Sequence, residues 1–183
     1  MRNLYILSAP SGTGKNTVFE KVQALMPTVQ RAITCTTREI RSNETDKVDY
    51  YFLSEADFAA KSKNGEFVEE NIYDGHKYGT LRAEIERHDE KRPLFLIIDV
   101  NGKEKTVKEY PYAVNVFIKP PSLEEMERRI RERGENSEEE IARRIKEAHM
   151  ELSKAYTYDF VLVNDDADDC ARELLTVILK TMR

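Results

Sequence analysis

The sequence predicts an α/β fold built on a mainly parallel five-stranded sheet, and three observations carry that expectation. Apolar runs of strand length alternate with segments of helical period, the order produced when parallel strands are joined by helical crossovers. The first apolar run leads straight into a glycine-bearing loop that ends in lysine and opens a helix. The chain's 183 residues suffice for one sizeable core and fall short of two full domains.

In chain order, residues 4–8 form the first strand. Ala9, Pro10, Ser11, Gly12, Thr13, Gly14, Lys15, Asn16 and Thr17 then read as a phosphate-binding loop. Gly12 and Gly14 let the backbone wrap so that amide N–H groups point inward, and Lys15 adds a cation over the outer phosphates. A turn that merely joins strand to helix would account for the glycines, but not for strand, loop, lysine and helix occurring together. Two positions depart from the usual pattern. Ala9 stands where its first glycine is expected, and Asn16 stands where a Ser or Thr hydroxyl would touch Mg²⁺. The following helix places Val18, Val22 and Leu25 on one face and aims its positive dipole end at the loop. A second core strand is expected at 31–35.

Residues 36–80 have a different texture. Aromatic, strand-length runs surround a short helix at 55–63, and glycines at 65, 75 and 79 suit hairpins, which predicts a small strand-rich insertion. Helices are expected at 81–90 and 102–109, on either side of a third core strand at 94–99, with a fourth strand at 113–118. Ser122-Leu-Glu-Glu, a capping box after Pro120-Pro121, starts a helix over 122–133, and Ser137-Glu-Glu-Glu starts another over 138–154. A strand at 160–163 and a helix at 167–181 complete the chain.

The net charge of −5 argues against DNA or RNA as the main partner. The longest apolar run, 94–98, is far shorter than a membrane span. The first strand begins directly after Met1-Arg-Asn, which leaves no room for a secretory signal, so a cytoplasmic protein is expected. Cys35 and Cys170 lie far apart without ligand spacing and read as reduced structural thiols. His76, His88 and His149 are equally scattered and receive no chemistry.

Charged residues near the loop are more informative. Asp99 ends an apolar strand and would stand beside the loop, where it can orient Mg²⁺ or its waters; a strand-end Asp also commonly caps the next helix. On the helix over 122–133, Leu123, Met126 and Ile130 form an apolar stripe with Arg129 and Arg133 along one edge. On the next helix Ile141, Ile145, Ala148 and Leu152 form the stripe, with Arg144 at its margin. Arg128, Arg131 and Arg143 read as a solvated face, whereas Arg129, Arg133 and Arg144 read as a lid that closes over phosphates and excludes water.

Beyond the loop, the chain carries Thr36-Thr37-Arg38, Asp49-Tyr50, Tyr78-Gly79-Thr80, Ile98-Asp99-Val100, Pro120-Pro121-Ser122-Leu123, Ile141-Ala-Arg-Arg144 and Val163-Asn-Asp-Asp166. With this set it resembles a guanylate kinase essentially from end to end. The resemblance implies the three-layer fold of P-loop NTPases: a core of residues 1–33, 81–121 and 155–183, a mixed α/β GMP-binding insertion at 34–80, and a helical lid at 122–154. It implies phosphorylation of GMP, and of dGMP as well, by ATP with Mg²⁺ in purine nucleotide metabolism. It further implies a monomer or homodimer with neither a nucleic-acid polymer nor a membrane as partner.

Residue by residue, Thr34, Arg38, Arg41, Tyr50, Glu69, Tyr78, Thr80 and Asp99 match the family's GMP-binding positions. The arginines and tyrosines hold the phosphate, for which guanidinium geometry is suited. Glu69 accepts hydrogen bonds from guanine N1 and the exocyclic amine, and Thr34 and Thr80 serve the purine's other polar edges. The loop, Arg133 and Asn164 match ATP positions, Asn164 near the adenine. Lys15, Arg129, Arg133 and Arg144 match catalytic positions, and Asp99 and, through water, Asn16 match metal positions. Because the acceptor oxygen is already anionic, catalysis reduces to positioning and charge stabilisation without a general base.

The chain departs from the family pattern in the loop after Arg38, where Glu39, Ile40, Ser42 and Asn43 replace two prolines and a Pro-Gly, and at Ile97, where an acid is usual. These changes imply a looser GMP-phosphate loop with added negative charge. Two further readings compete: a non-catalytic guanylate-kinase-like protein-interaction domain, and a related P-loop kinase for another phosphorylated substrate. The retained Gly12, Gly14, Lys15 and arginines oppose the first, and Glu69 with Thr34 and Thr80 opposes the second.

Overall fold

The computed structural model describes residues 3–42, 44–73, 75–132 and 137–182. In chain order they form β1 (Leu4–Ser8), α1 (Lys15–Leu25), β2 (Gln30–Arg31), β3 (Thr34–Thr36), β4 (Tyr50–Phe52), α2 (Glu55–Lys63), β5 (Phe67–Tyr73) and β6 (His76–Leu81). These are followed by α3 (Arg82–Glu86), β7 (Leu94–Ile97), α4 (Val100–Glu109), β8 (Val114–Lys119), α5 (Leu123–Glu132), α6 (Glu138–Leu152), β9 (Phe160–Val163) and α7 (Ala167–Thr181).

Five strands form the core sheet in the order β2-β7-β1-β8-β9, every neighbouring pair parallel. A sheet covered on both faces needs strands that are apolar throughout, and β1 is buried at all five positions. One face packs Tyr5, Leu7 and Phe95 against Val18, Phe19 and Val22 of α1 and Leu174 and Ile178 of α7. The other packs Leu4, Ile6 and Leu96 against Ile85 of α3 and Val68 of β5. Each such fully buried side chain contributes about 1.5–3 kcal/mol by leaving water. This is the three-layer α/β architecture expected from the sequence.

Several local expectations are corrected. The expected strand at 31–35 is two strands in two sheets. Ala32 N–H still donates to the Phe95 carbonyl at 2.9 Å, but Ile33 N–H donates to the Glu84 carboxylate, also at 2.9 Å, so the chain leaves the core sheet there. The helix expected at 81–90 is only Arg82–Glu86, and β6 runs on to Leu81 before it. After it Arg87 caps the last turn, its N–H donating to the Ala83 carbonyl at 3.1 Å, while Arg92 N–H donates to the Asp89 carbonyl in a separate turn. Helix α4 starts two residues early because Asp99 caps it, accepting from the N–H groups of Asn101 and Gly102 at 2.8 Å. On α1 the buried face is Val18, Phe19 and Val22, while Leu25 is 55% exposed. Leu123, placed in the α5 stripe, is likewise exposed.

The insertion forms a second sheet in the order β4-β3-β6-β5, with Cys35, Phe58 and Phe67 as its core and the two phenylalanine rings stacked 4.5 Å apart. The register of β5 on β6 shifts between Phe67 and Glu69. In an unbroken strand these two side chains would share a face. The bulge separates them, so that Phe67 enters the core of the insertion while Glu69 turns to the cavity between the sheets. Helices α5 and α6 pair through Met126, Ile130, Ile141 and Ala148, and α5 rests on the phosphate loop at Gly12. A Cβ on Gly12 would lie 2.9 Å from Cγ1 of Ile130, so only glycine lets α5 come this close. Cys35 and Cys170 are buried and unpaired, and burial pushes both thiols up to about 12, which leaves them unreactive. Among the described residues no helix is long and apolar enough to cross a membrane.

Candidate active site

The loop after β1 and the start of α1 form one wall of a cavity of about 300 Å³, and the insertion's sheet forms the opposite wall. The cavity lies beyond the carboxyl ends of β1 and β7, where open parallel sheets bind ligands. Gly12 and Gly14 have φ of 83° and 82°, the left-handed conformation that turns successive amides inward. A Cβ on Gly14 would meet the Asn164 side-chain nitrogen at 2.8 Å. That nitrogen donates to the Thr13 carbonyl at 2.6 Å, and Asn164 is buried. The amide of Asn164 therefore braces the loop. Replacing Asn164 by alanine leaves the buried Thr13 carbonyl without its partner, which raises the KM for ATP about tenfold while the KM for GMP stays put; steady-state kinetics with each substrate varied in turn checks this.

Lys15 is half-buried in the cavity wall. Burial lowers its pKa, as does the positive charge of Arg31, against the opposing pull of Glu151 and Asp99. Glu151, on α6, has its carboxyl raised to about 7, first by burial and then by the like charges of Asp99 and Glu147, with Lys15 pulling the other way. Asp99 caps α4 with one oxygen and accepts from the Asn71 side-chain amide with the other. The capping role thus holds, and Asp99 lines the cavity as well.

Asp99 and Glu151 provide hard oxygen donors, and their mutual repulsion is the kind a divalent cation offsets. With the exposed Asn16 amide at the start of α1, this donor set suits Mg²⁺, which is commonly held by one or two carboxylates, waters and substrate phosphates.

Across the cavity, Glu69 is 4% exposed and its carboxylate accepts from the Thr80 hydroxyl at 2.7 Å. Burial raises its carboxyl to about 7, with Thr80 opposing the shift. Gly102 makes room for it, since a Cβ there would stand 2.9 Å from Oε2. Thr34, Tyr50 and Tyr78 line the same cavity. Beside them, Arg38 makes a two-pronged ion pair with Glu44 at 2.7 and 3.0 Å and lies 5.5 Å from the Tyr50 ring centroid. Arg41 is exposed, and its backbone N–H donates to the same Glu44 carboxylate.

The expected lid arginines are arranged differently. Arg129 pairs with Glu125 at 2.6 Å and donates to the Asn164 carbonyl, and Arg144 pairs with Glu140 at 2.8 Å. Neither lines the cavity. Arg133, and Asn43 in the altered loop, lie outside the described residues. The structure also brings in Arg31, Asn71 and Glu151, which the sequence reading passed over. Glu151 follows Arg144 by seven residues, about 20° apart on the helix, and that shared edge was the available signal.

Comparison with known proteins gives one consistent family. The family model described as guanylate kinase matches residues 1–181. A guanylate kinase of Salinibacter ruber is 41% identical over 179 residues, covering 97% of this chain and 95% of that protein. A guanylate kinase of Frankia casuarinae is 40% identical, covering 96% of each. The crystal structure of a guanylate kinase from Anaplasma phagocytophilum superposes with a TM-score of 0.81 at 29% identity, over 99% of this chain and 86% of that one.

Proposed function

We propose, because this chain belongs to the guanylate kinase family, that its cavity holds ATP on the phosphate loop and GMP on the insertion with the two phosphates facing each other. The enzyme transfers the γ-phosphoryl group of ATP to GMP and releases ADP and GDP. The observation that carries the assignment of the site is that Glu69 and Lys15 line one cavity from opposite walls. A buried carboxylate there meets two adjacent donors on guanine, and a lysine within a ring of loop amides meets the donor phosphates.

In this reading Thr80 fixes the Glu69 carboxylate, Thr34 meets another polar edge of the base, and Arg38, Arg41, Tyr50 and Tyr78 hold the acceptor phosphate. The acceptor oxygen needs no deprotonation. The residues lower the barrier by aligning it with the γ-phosphorus and by stabilising the charge that spreads over the transferred group. Lys15 supplies that stabilisation from the loop. Arg129, Arg133 and Arg144 supply it from the 122–154 segment, with Arg129 and Arg144 exchanging their glutamate partners for phosphate oxygens. Asp99, and Asn16 through water, would hold Mg²⁺, which when bound neutralises charge on the donor phosphates. The unpaired buried thiols support a reducing, cytoplasmic setting.

The test is ADP release from Mg-ATP by the purified protein with GMP, dGMP, AMP, UMP and CMP offered separately. Turnover with GMP and dGMP alone is the expected result. Equal turnover with AMP, or none with any acceptor, overturns the reading.

A further inference from the structure

We propose that Arg31 is a further binding residue of the acceptor-phosphate site, its guanidinium contacting the phosphate of GMP. The inference rests on the reading that Tyr50, Tyr78, Arg38 and Arg41 surround that phosphate. Arg31 is the last residue of β2, the edge strand of the core sheet, and lines the cavity together with Lys15, Tyr50 and Tyr78. Its Cζ lies 5.9 Å from the centroid of the Tyr50 ring, and the Cζ of Arg38 lies 5.5 Å from the same centroid. The two guanidinium groups therefore gather around one tyrosine.

Arg31 has a buried N–H donor with no acceptor among the described residues. Arg38 is paired with Glu44, Arg129 with Glu125 and Arg144 with Glu140. Among the described residues Arg31 has neither a hydrogen bond nor an ion pair, and its Nε is buried without an acceptor. The contact with the Tyr50 ring is a cation–π contact that supplies no hydrogen-bond acceptor, so the buried Nε–H stays unpaired. A buried donor without an acceptor is costly and marks a place where an outside group completes the network. An oxyanion suits a planar fork of N–H donors.

The donor phosphates already have the loop amides and Lys15, whereas Arg31 stands with Tyr50 on the insertion's side. There it has a particular use. Glu44 forms a two-pronged ion pair with Arg38 and accepts from the Arg41 backbone N–H, whereas among the described residues no carboxylate pairs with the Arg31 guanidinium. Its repulsion of Lys15 across the cavity is relieved when phosphate enters between them.

The test measures GMP and guanosine binding to the full chain by titration calorimetry, for the parent protein and for Arg31→Met, Arg31→Lys, Arg38→Met and Tyr78→Phe. Arg31→Met is expected to weaken GMP binding roughly 10- to 100-fold, the effect of removing one charged hydrogen bond. Guanosine binding and the KM for ATP stay unchanged, and Arg31→Lys recovers part of the loss. Equal losses for GMP and guanosine, or none for either, overturn the inference. If Arg38→Met and Tyr78→Phe weaken GMP binding and Arg31→Met does not, Arg31 alone has been misassigned. If none of them does, the acceptor-phosphate reading itself fails. Should Arg31→Met not fold, the Nε–H NMR resonance of Arg31 in the parent protein decides. It must move on adding GMP and stay still with guanosine, and any other behaviour counts against the contact.

Discussion

Replacing Glu69 by alanine is expected to lower kcat/KM for GMP by roughly 10⁴-fold, the scale on which a site built to pair polar groups rejects a mismatch. In the proposed binding mode the carboxylate accepts from two donors of the base at once; the Thr80 hydroxyl donates to it, and Gly102 leaves it room. The variant loses that pairing and gains no compensating contact, so selectivity over AMP disappears together with GMP turnover. Measuring kcat/KM for GMP and AMP side by side separates loss of base reading from general damage, because the AMP value should not fall.

The protonation state of Glu69 adds a pH dependence with a definite sign. Burial holds the carboxyl near 7, well above its unfolded value, whereas guanine recognition needs the carboxylate. GMP binding therefore releases a proton at neutral pH and weakens as pH falls below about 7. The stability consequence runs the other way. A carboxyl whose folded pKa is raised contributes stability that is fully present below the unfolded pKa and is lost as pH rises through the folded one. The conservative Glu69→Gln variant should thus melt at a higher temperature than the parent above pH 7 while still failing to bind GMP. A lower melting temperature there would mean that the carboxylate is stabilised by partners in the folded protein.

Much of this arrangement was legible in the sequence, and what was hidden has physical causes. The phosphate loop was readable because its conformation demands glycine at two positions and its charge demands lysine, all within a few residues. The parallel sheet was readable because strands buried on both faces must be apolar throughout. The bulge at Phe67 to Glu69 was not, since strand alternation puts both residues on one face and only pairing with β6 shows otherwise. Arg31 was obscured by a boundary. Reading 31–35 as one strand put Arg31 at its amino end, away from the ligand crevice. In the structure β2 ends at Arg31, because the Glu84 side chain captures the Ile33 N–H and draws the chain out of the sheet. A side chain 51 residues away decides that boundary, and no local pattern contains it. The glutamate partners of Arg129 and Arg144 were visible as helical i, i+4 neighbours, but whether an arginine pairs along its own helix or reaches across the cavity depends on tertiary contacts.

Replacing Lys15 by methionine is expected to lower kcat by roughly 10²- to 10³-fold, the usual effect of deleting one preorganised group that stabilises transition-state charge. Methionine keeps most of the aliphatic stem, so the loop retains its packing and only the cation is lost. The glycines and Asn164 hold the loop backbone independently of that side chain, which is why the melting temperature should hardly change. The KM for ATP should rise less than kcat falls, since the loop amides still bind the ground-state phosphates and the lysine acts most where charge develops. The pH profile offers a second, independent check. Burial lowers the pKa of Lys15, so the parent enzyme should lose kcat/KM on the alkaline side at a lower pH than an ordinary lysine would dictate. In the methionine variant that limb should vanish from the residual activity. If it persists, the alkaline titration belongs to another group, and the assignment of Lys15 as the loop cation acting on the transferred phosphate fails.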